Sequence, residues 1–96
     1  MNLSVIVPGL LRSYTAGADR VDVEVLAAAG TAQPTLGDGV AALDRAFPGL
    51  RFRIIDEQGY IRPHIKLFVD GAQARKLTAP LAPAATLMIV GALSGG

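Results

Sequence analysis

The sequence contains no cysteine. That excludes disulfides and any thiol nucleophile of the chain's own, and it leaves the redox compartment open. Histidine is nearly absent too. With His64 alone, a protein-only zinc site lacks the ligands it needs, and no metal site is expected. Charge is scarce: Asp, Glu, Lys and Arg make up 18% of the chain and the formal net charge is +1. Nucleic-acid binders carry a clustered basic excess, so no nucleic-acid partner is expected. The nearest thing to a basic cluster, Arg51, Arg53, Arg62 and Lys66, reads as a solvated face, with an acidic patch on a protein partner as the second reading. Long apolar runs are missing as well. No residue after Lys76 is charged, but Pro80, Pro83, Gly91 and the terminal glycines break that stretch. A membrane helix needs about twenty predominantly apolar residues, so no membrane partner is expected. The opening "MNLSVIVPGLL" has no basic leader and is cut by Pro8-Gly9, which argues against a signal peptide. These absences together predict a cytoplasmic protein.

What is present is apolar material, 51% of 96 residues, ample for the core of one domain spanning 1–96. "NLSVIVP" (Asn2 to Pro8) is β-branched and closed by Pro8-Gly9, which predicts a strand. In "DRVDVEV" Val21, Val23 and Val25 alternate with Asp22 and Glu24, the period of a half-buried strand. "SYTAGAD" between them, with Gly17, predicts a hairpin. Thr35 followed by Asp38 forms a capping-box pattern, and Leu36, Val40, Leu43 and Phe47 recur on one helical stripe until Pro48-Gly49 stops it. "LRFRIIDEQGYIR" reads as an irregular connection or short turn. After Pro63, Ile65, Leu67 and Val69 alternate with His64, Lys66 and Phe68 as a further strand. Asp70-Gly71 is a turn signal, with "AQAR" returning as a short edge piece. "TLMIV" (Thr86 to Val90) is apolar on both sides, as a central strand is.

A hairpin, a helix crossing its face and further strands with the last one central describe an α+β fold, a mixed sheet packed on one main helix. In that β-grasp arrangement the first and last strands pair in parallel, the helix supplying the crossover.

The sequence resembles the ubiquitin-like sulfur carriers typified by MoaD and ThiS, over nearly its whole length. "PTLGDGVAALDRAFPGLRFRIIDEQGYIRPHIKLFVDG" is similar to the family's helix, its Pro-Gly-Leu stop, its acidic-to-Ile-Arg-Pro connection and its turn before the edge piece. "PLAPAATLMIV" is similar to the segment entering the final strand, and "LSGG" falls where the family has its protruding Gly-Gly end. "SGG" and "IRPHIKLFVDG" lean toward the CysO-like carriers of cysteine biosynthesis. Two departures stand out. Pro83-Ala84-Ala85 replaces the usual acidic turn before the last strand, and "GALS" replaces a segment that often carries prolines.

The resemblance implies a chemistry. The Gly96 carboxylate would be adenylated with ATP and its metal bound by a separate MoeB/ThiF-type adenylating enzyme. A sulfurtransferase or persulfide donor would then convert it to a thiocarboxylate, whose sulfur a biosynthetic acceptor enzyme uses. The chain would be a co-substrate and not an enzyme. The residues agree with that chemistry. An α-carboxylate is ionised at neutral pH and is a competent oxygen nucleophile. Gly95 and Gly96 lack Cβ atoms, so a tail of residues 91–96 could thread a narrow channel lined along Ser94 and Leu93. Met88 and Val90 are candidates for an apolar patch offered to the partner, Val90 being favoured for the exposed side. His64 reads as a half-exposed strand position or a proton donor at a partner interface, and Tyr14 and Phe52 as core or hairpin cover. "GDG" (Gly37 to Gly39) reads as cap and turn and not as an anion site, because Asp38 would repel phosphate. Two other functions use the same sequence: a protein modifier joined to lysines through Gly96, and a β-grasp interaction domain with an idle tail.

Overall fold

The computed structural model describes residues 1–27, 30 and 33–91. The elements run β1 (Asn2–Ile6), a 3₁₀ helix (Gly9–Thr15), β2 (Arg20–Glu24), α1 (Leu36–Ala46), α2 (Leu50–Ile54), β3 (Ile65–Val69), β4 (Ala72–Ala74) and β5 (Thr86–Gly91). They form a five-stranded sheet in the order β2-β1-β5-β3-β4. β1 and β5 pair in parallel, with Val5 beside Leu87. The pairings β1 with β2, β3 with β4 and β3 with β5 are antiparallel. This is the mixed sheet and central last strand expected from the sequence.

One face of the sheet carries Leu3, Val5, Val23, Ile65, Leu67, Leu87 and Ile89, all buried, and α1 lies on it with Leu36, Val40 and Leu43. The helix begins where predicted. Thr35 Oγ1 accepts from the Asp38 amide and the Thr35 amide donates to Asp38 Oδ2 at 2.8 Å, closing the capping box. The Leu36 and Gly37 amides donate to the carbonyls of Ala79 and Leu77 at 2.8 and 2.9 Å, and the Gly39 amide to the Thr35 carbonyl. All four amides that a helix start leaves open are thereby taken. "GDG" is therefore cap and turn. Gly39 has a further reason: a Cβ there would meet Leu3 at 3.1 Å and Leu81 at 3.2 Å, so glycine sets how closely α1 approaches the sheet.

Three stretches differ from expectation. The link between β1 and β2 contains a 3₁₀ helix that buries Leu11 and Thr15, in place of a simple hairpin turn. The stretch read as irregular begins with α2. Leu50 and Ile54, four residues apart, are both fully buried, and Asp44 Oδ1 accepts from the Gly49 and Arg51 amides at 3.1 Å, capping α2 from the end of α1. Because α2 turns Leu50 and Ile54 inward, Phe52 points outward and is 54% exposed, which corrects its reading as core or hairpin cover. Tyr14 is partly buried against the core, as read. The Asp70-Gly71 turn is as expected, both residues having positive φ (49° and 87°), the geometry that matches the twist of a tight hairpin.

Leu43 has no exposed surface, whereas Met88 is 41% exposed. Leu43→Ala is therefore expected to lower unfolding free energy by about 2–5 kcal/mol in urea titration. Met88→Ala changes it by about 0.5 kcal/mol or less. Equal losses would mean that the two faces of the sheet have been assigned wrongly.

Candidate functional site: the outer sheet face and the end of the last strand

β5 is apolar on both sides, yet α1 covers only one. Leu87 and Ile89 face the helix and are buried, while Met88 and Val90 face outward at 41% and 37% exposure. The registers extend this outward row across the sheet. Ile6 stands beside Met88 and opposite Arg20, and Phe68 stands opposite Met88 and Gln73. In the next row Lys66 is opposite Val90. Ile6, Met88, Phe68 and Val90 thus form an apolar strip at the centre of the face, with Arg20, Lys66 and Gln73 along its edges. A shallow depression of about 450 Å³ lies over Phe68, Met88 and Val90, rimmed by Lys66, Asp70 and Thr86. An apolar centre with a polar rim is the composition of a protein-docking patch, and aromatic and methionine side chains are enriched in such centres. Phe68 and Ile6 were missed in the sequence. The parallel register of β1 with β5 brings Ile6 alongside, and a single sequence does not display that register.

The strip ends where β5 ends. Gly91, assigned to the start of the tail from sequence, is the last residue of β5 and pairs with Ile65. A Cβ on Gly91 would collide with the Leu10 side chain from the 3₁₀ helix, so Leu10 packs directly on the backbone where the tail begins. A side chain at position 91 would require Leu10, itself 40% exposed, to turn aside. The tail positions Leu93, Ser94, Gly95 and Gly96 lie outside the described residues.

The other singled-out residues are dispersed. His64 lies in the turn before β3 and is exposed, not within the strand as read. Arg51, Arg53, Arg62 and Lys66 do not form one face. Lys66 belongs to the outer sheet face, Arg53 Nε donates to Tyr14 Oη at 2.5 Å, and Arg62 stacks on Phe52 with its Cζ 4.7 Å from the ring centroid. Among the described residues, no group of three or more His, Asp or Glu side chains is placed to hold a metal ion. None of the helices there is long and apolar enough to cross a membrane.

No protein-family model and no curated protein matches this sequence. Solved structures do. CysO from the Amycolatopsis orientalis BexX/CysO complex superposes with a TM-score of 0.81 at 23% identity, covering 98% of this chain and 99% of that one. Small archaeal modifier protein 1 from Haloferax volcanii matches with a TM-score of 0.80 at 27% identity over 100% of both chains. CysO of Mycobacterium tuberculosis gives 0.77 at 23%, covering 95% and 99%. This chain has the ubiquitin-like β-grasp fold. Its structural neighbours are ubiquitin-like sulfur carriers and modifiers, which is the resemblance drawn from the sequence. The Met88/Phe68/Val90 patch lies on the face opposite α1, and Val90 at its end immediately precedes Gly91, the last residue of β5.

The contact of Leu10 with Gly91 can be tested by a double-mutant cycle. Gly91→Ala is expected to cost about 1 kcal/mol, because Leu10 must shift off the strand. In the Leu10→Ala background the same change becomes neutral or slightly stabilising. Equal costs in both backgrounds would remove Leu10 as the reason for the glycine.

Proposed function

We propose that this β-grasp protein is a sulfur carrier. The observation that carries the reading is the run of β5 from the exposed Met88/Val90 patch toward a Gly-Gly end five residues beyond Gly91. A partner that covers the patch then receives the tail at the edge of the same interface. On this reading a MoeB/ThiF-type adenylating enzyme binds ATP and its metal. The Gly96 carboxylate oxygen attacks the α-phosphorus, pyrophosphate leaves, and an acyl-adenylate forms. Carboxylates are poor electrophiles, and adenylation supplies the leaving group that an oxide cannot be. The terminal sulfur of a sulfurtransferase persulfide or other persulfide donor then displaces AMP to give an acyl disulfide. A partner thiol cleaves its S–S bond, forming a disulfide with the donor and leaving a thiocarboxylate for an acceptor enzyme in cysteine, molybdopterin, thiamin or thio-metabolite synthesis. Gly95, Ser94 and Leu93 thread the partner's channel, glycine because a Cβ would obstruct it. The chain itself contributes recognition and the reacting carboxylate, and is consumed and regenerated as a co-substrate.

A second reading, a modifier joined to lysines through Gly96, is supported by the 27% identity to small archaeal modifier protein 1. Both readings require the same activated tail, and the products separate them: a free thiocarboxylate for the carrier, higher-mass conjugates that vanish on deleting Gly96 for the modifier.

The test is ATP–pyrophosphate exchange by the adenylating enzyme of the same cells, with this chain as the carboxylate substrate. One alanine added after Gly96 is expected to abolish exchange while leaving circular dichroism unchanged. Met88→Glu or Phe68→Glu should raise the KM for the carrier about tenfold or more, as loss of a central apolar anchor does. Full exchange by the alanine-extended chain would mean an idle tail, and the interaction-domain reading would take over.

A further inference from the structure

The basic residues singled out in the sequence are not used by the outer sheet face, apart from Lys66. Seven of the nine Lys and Arg residues fall between Arg45 and Lys76, against three of the eight acids, so this part of the chain is distinctly positive despite the net charge of +1. Among the described residues none of these cations is in a salt bridge; the ion pair present joins the Met1 ammonium to Glu24.

Two of them are each held through Nε. Arg53 donates through Nε to Tyr14 Oη, with its Cζ 5.8 Å from the Tyr14 ring centroid. Arg62 donates through Nε to the Phe52 carbonyl at 2.7 Å and stacks on the Phe52 ring. In each case an Nε hydrogen bond holds the guanidinium, reinforced for Arg62 by stacking on Phe52, and the Nη donors make no hydrogen bond among the described residues. A guanidinium fixed with its end free presents two parallel N–H groups, the arrangement a carboxylate accepts. Fixing the side chain beforehand also removes much of the entropy that an exposed ion pair otherwise loses on forming.

Arg53 opens into a notch of about 320 Å³ that it lines with Leu10, Leu11, Ser13, Tyr14 and His64. The lining includes no acid. Its position is specific. Leu10 is the side chain packed on Gly91, and His64 immediately precedes Ile65, the partner of Gly91. The notch therefore borders the root of the tail, on the flank between the 3₁₀ helix and α2, and Arg62 with Phe52 lies next to it along the chain.

We infer that this flank is a docking site for an acidic segment of a protein partner, one carboxylate seated on Arg53 in the notch and a second on Arg62. The exposed Phe52 ring, stacked under Arg62, supplies an apolar neighbour for a side chain between the two acids. That the partner also reads the tail rests on the carrier proposal; the acidic chemistry does not.

The test is an NMR titration of the full ¹⁵N-labelled chain with the peptide acetyl-Glu-Leu-Glu-Asp-Leu-Glu-amide, with the lysine-for-acid version and inorganic phosphate as parallel probes. Saturable shifts confined to Leu10–Tyr14, Phe52–Arg53 and Arg62–His64 are expected, weakening as salt is raised. The Arg53→Gln/Arg62→Gln double variant should lose affinity about three- to tenfold. Arg20→Gln/Lys76→Gln, equal in charge change and lining neither the notch nor the depression beside Arg62, should bind as the parent does. Equal losses in the two double variants would mean diffuse attraction and overturn the site. Phosphate producing the same shifts at the same concentration would make it a small-anion site and overturn the protein segment, and shifts on Met88 and Phe68 instead would move the docking elsewhere. No adenylation or sulfur transfer enters this titration, so failure of the carrier proposal leaves its outcome unaffected.

Discussion

The parallel pairing of β1 with β5 is the constraint on which the rest of the molecule depends. Parallel neighbours cannot be joined by a tight turn, so the chain between them must cross over, and α1 is part of that crossing. The pairing puts β5 between β1 and β3, hydrogen-bonded on both edges. Strand alternation then does two things at once. Leu87 and Ile89 go into the core, where each contributes about 1.5–3 kcal/mol by leaving water, and Met88 and Val90 are left on the opposite face. The same strand that anchors the core therefore carries the exposed patch.

The helix start is closed within the chain. The amides of Leu36, Gly37, Asp38 and Gly39 are all satisfied within the chain, by the Ala79 and Leu77 carbonyls and by Thr35. Nothing remains there to hold an anion. The loop supplying those carbonyls also brings Leu81 into the core and ties its amide to the Pro34 carbonyl. Helix, loop and sheet are thus locked on the inner side, while the outer side keeps an uncovered apolar strip at its centre. On the carrier proposal, this outer surface is what a partner covers, and the partner assembles the chemistry at the terminal carboxylate.

Most of this was legible in the residues. The Val21/Val23/Val25 and Ile65/Leu67 alternations, the Thr35–Asp38 capping box and the Asp70-Gly71 turn each carry their own local physics, and each forms as read. The central place of β5 was legible because apolar residues on both sides are rare in an edge strand. What was not legible was set by contacts distant in sequence. Leu50 and Ile54 show helical spacing, but over only five residues, and the Asp44 cap on α2 comes from the preceding helix. The 3₁₀ helix has a buried Leu11 and Thr15 and no strong periodicity to announce it. Gly91 looked like loosening of the tail, because the Leu10 side chain that fills its Cβ position lies eighty-one residues earlier in the chain. The outer patch was half visible: Met88 and Val90 are adjacent on one strand, whereas Ile6 and Phe68 join them only through sheet register.

The central proposal is that the working group of this protein is the terminal carboxylate, used by a partner that also covers the Met88/Phe68/Val90 surface. Intact-mass spectrometry of the protein isolated from its own cells tests that claim most directly. The account predicts a fraction of chains heavier by the exchange of one oxygen for one sulfur, with the change confined to the C-terminal peptide. A chain with no such change in those cells, and none after incubation with ATP, a sulfur donor and the cells' adenylating enzyme, would contradict it and leave the two glycines as an ordinary chain end.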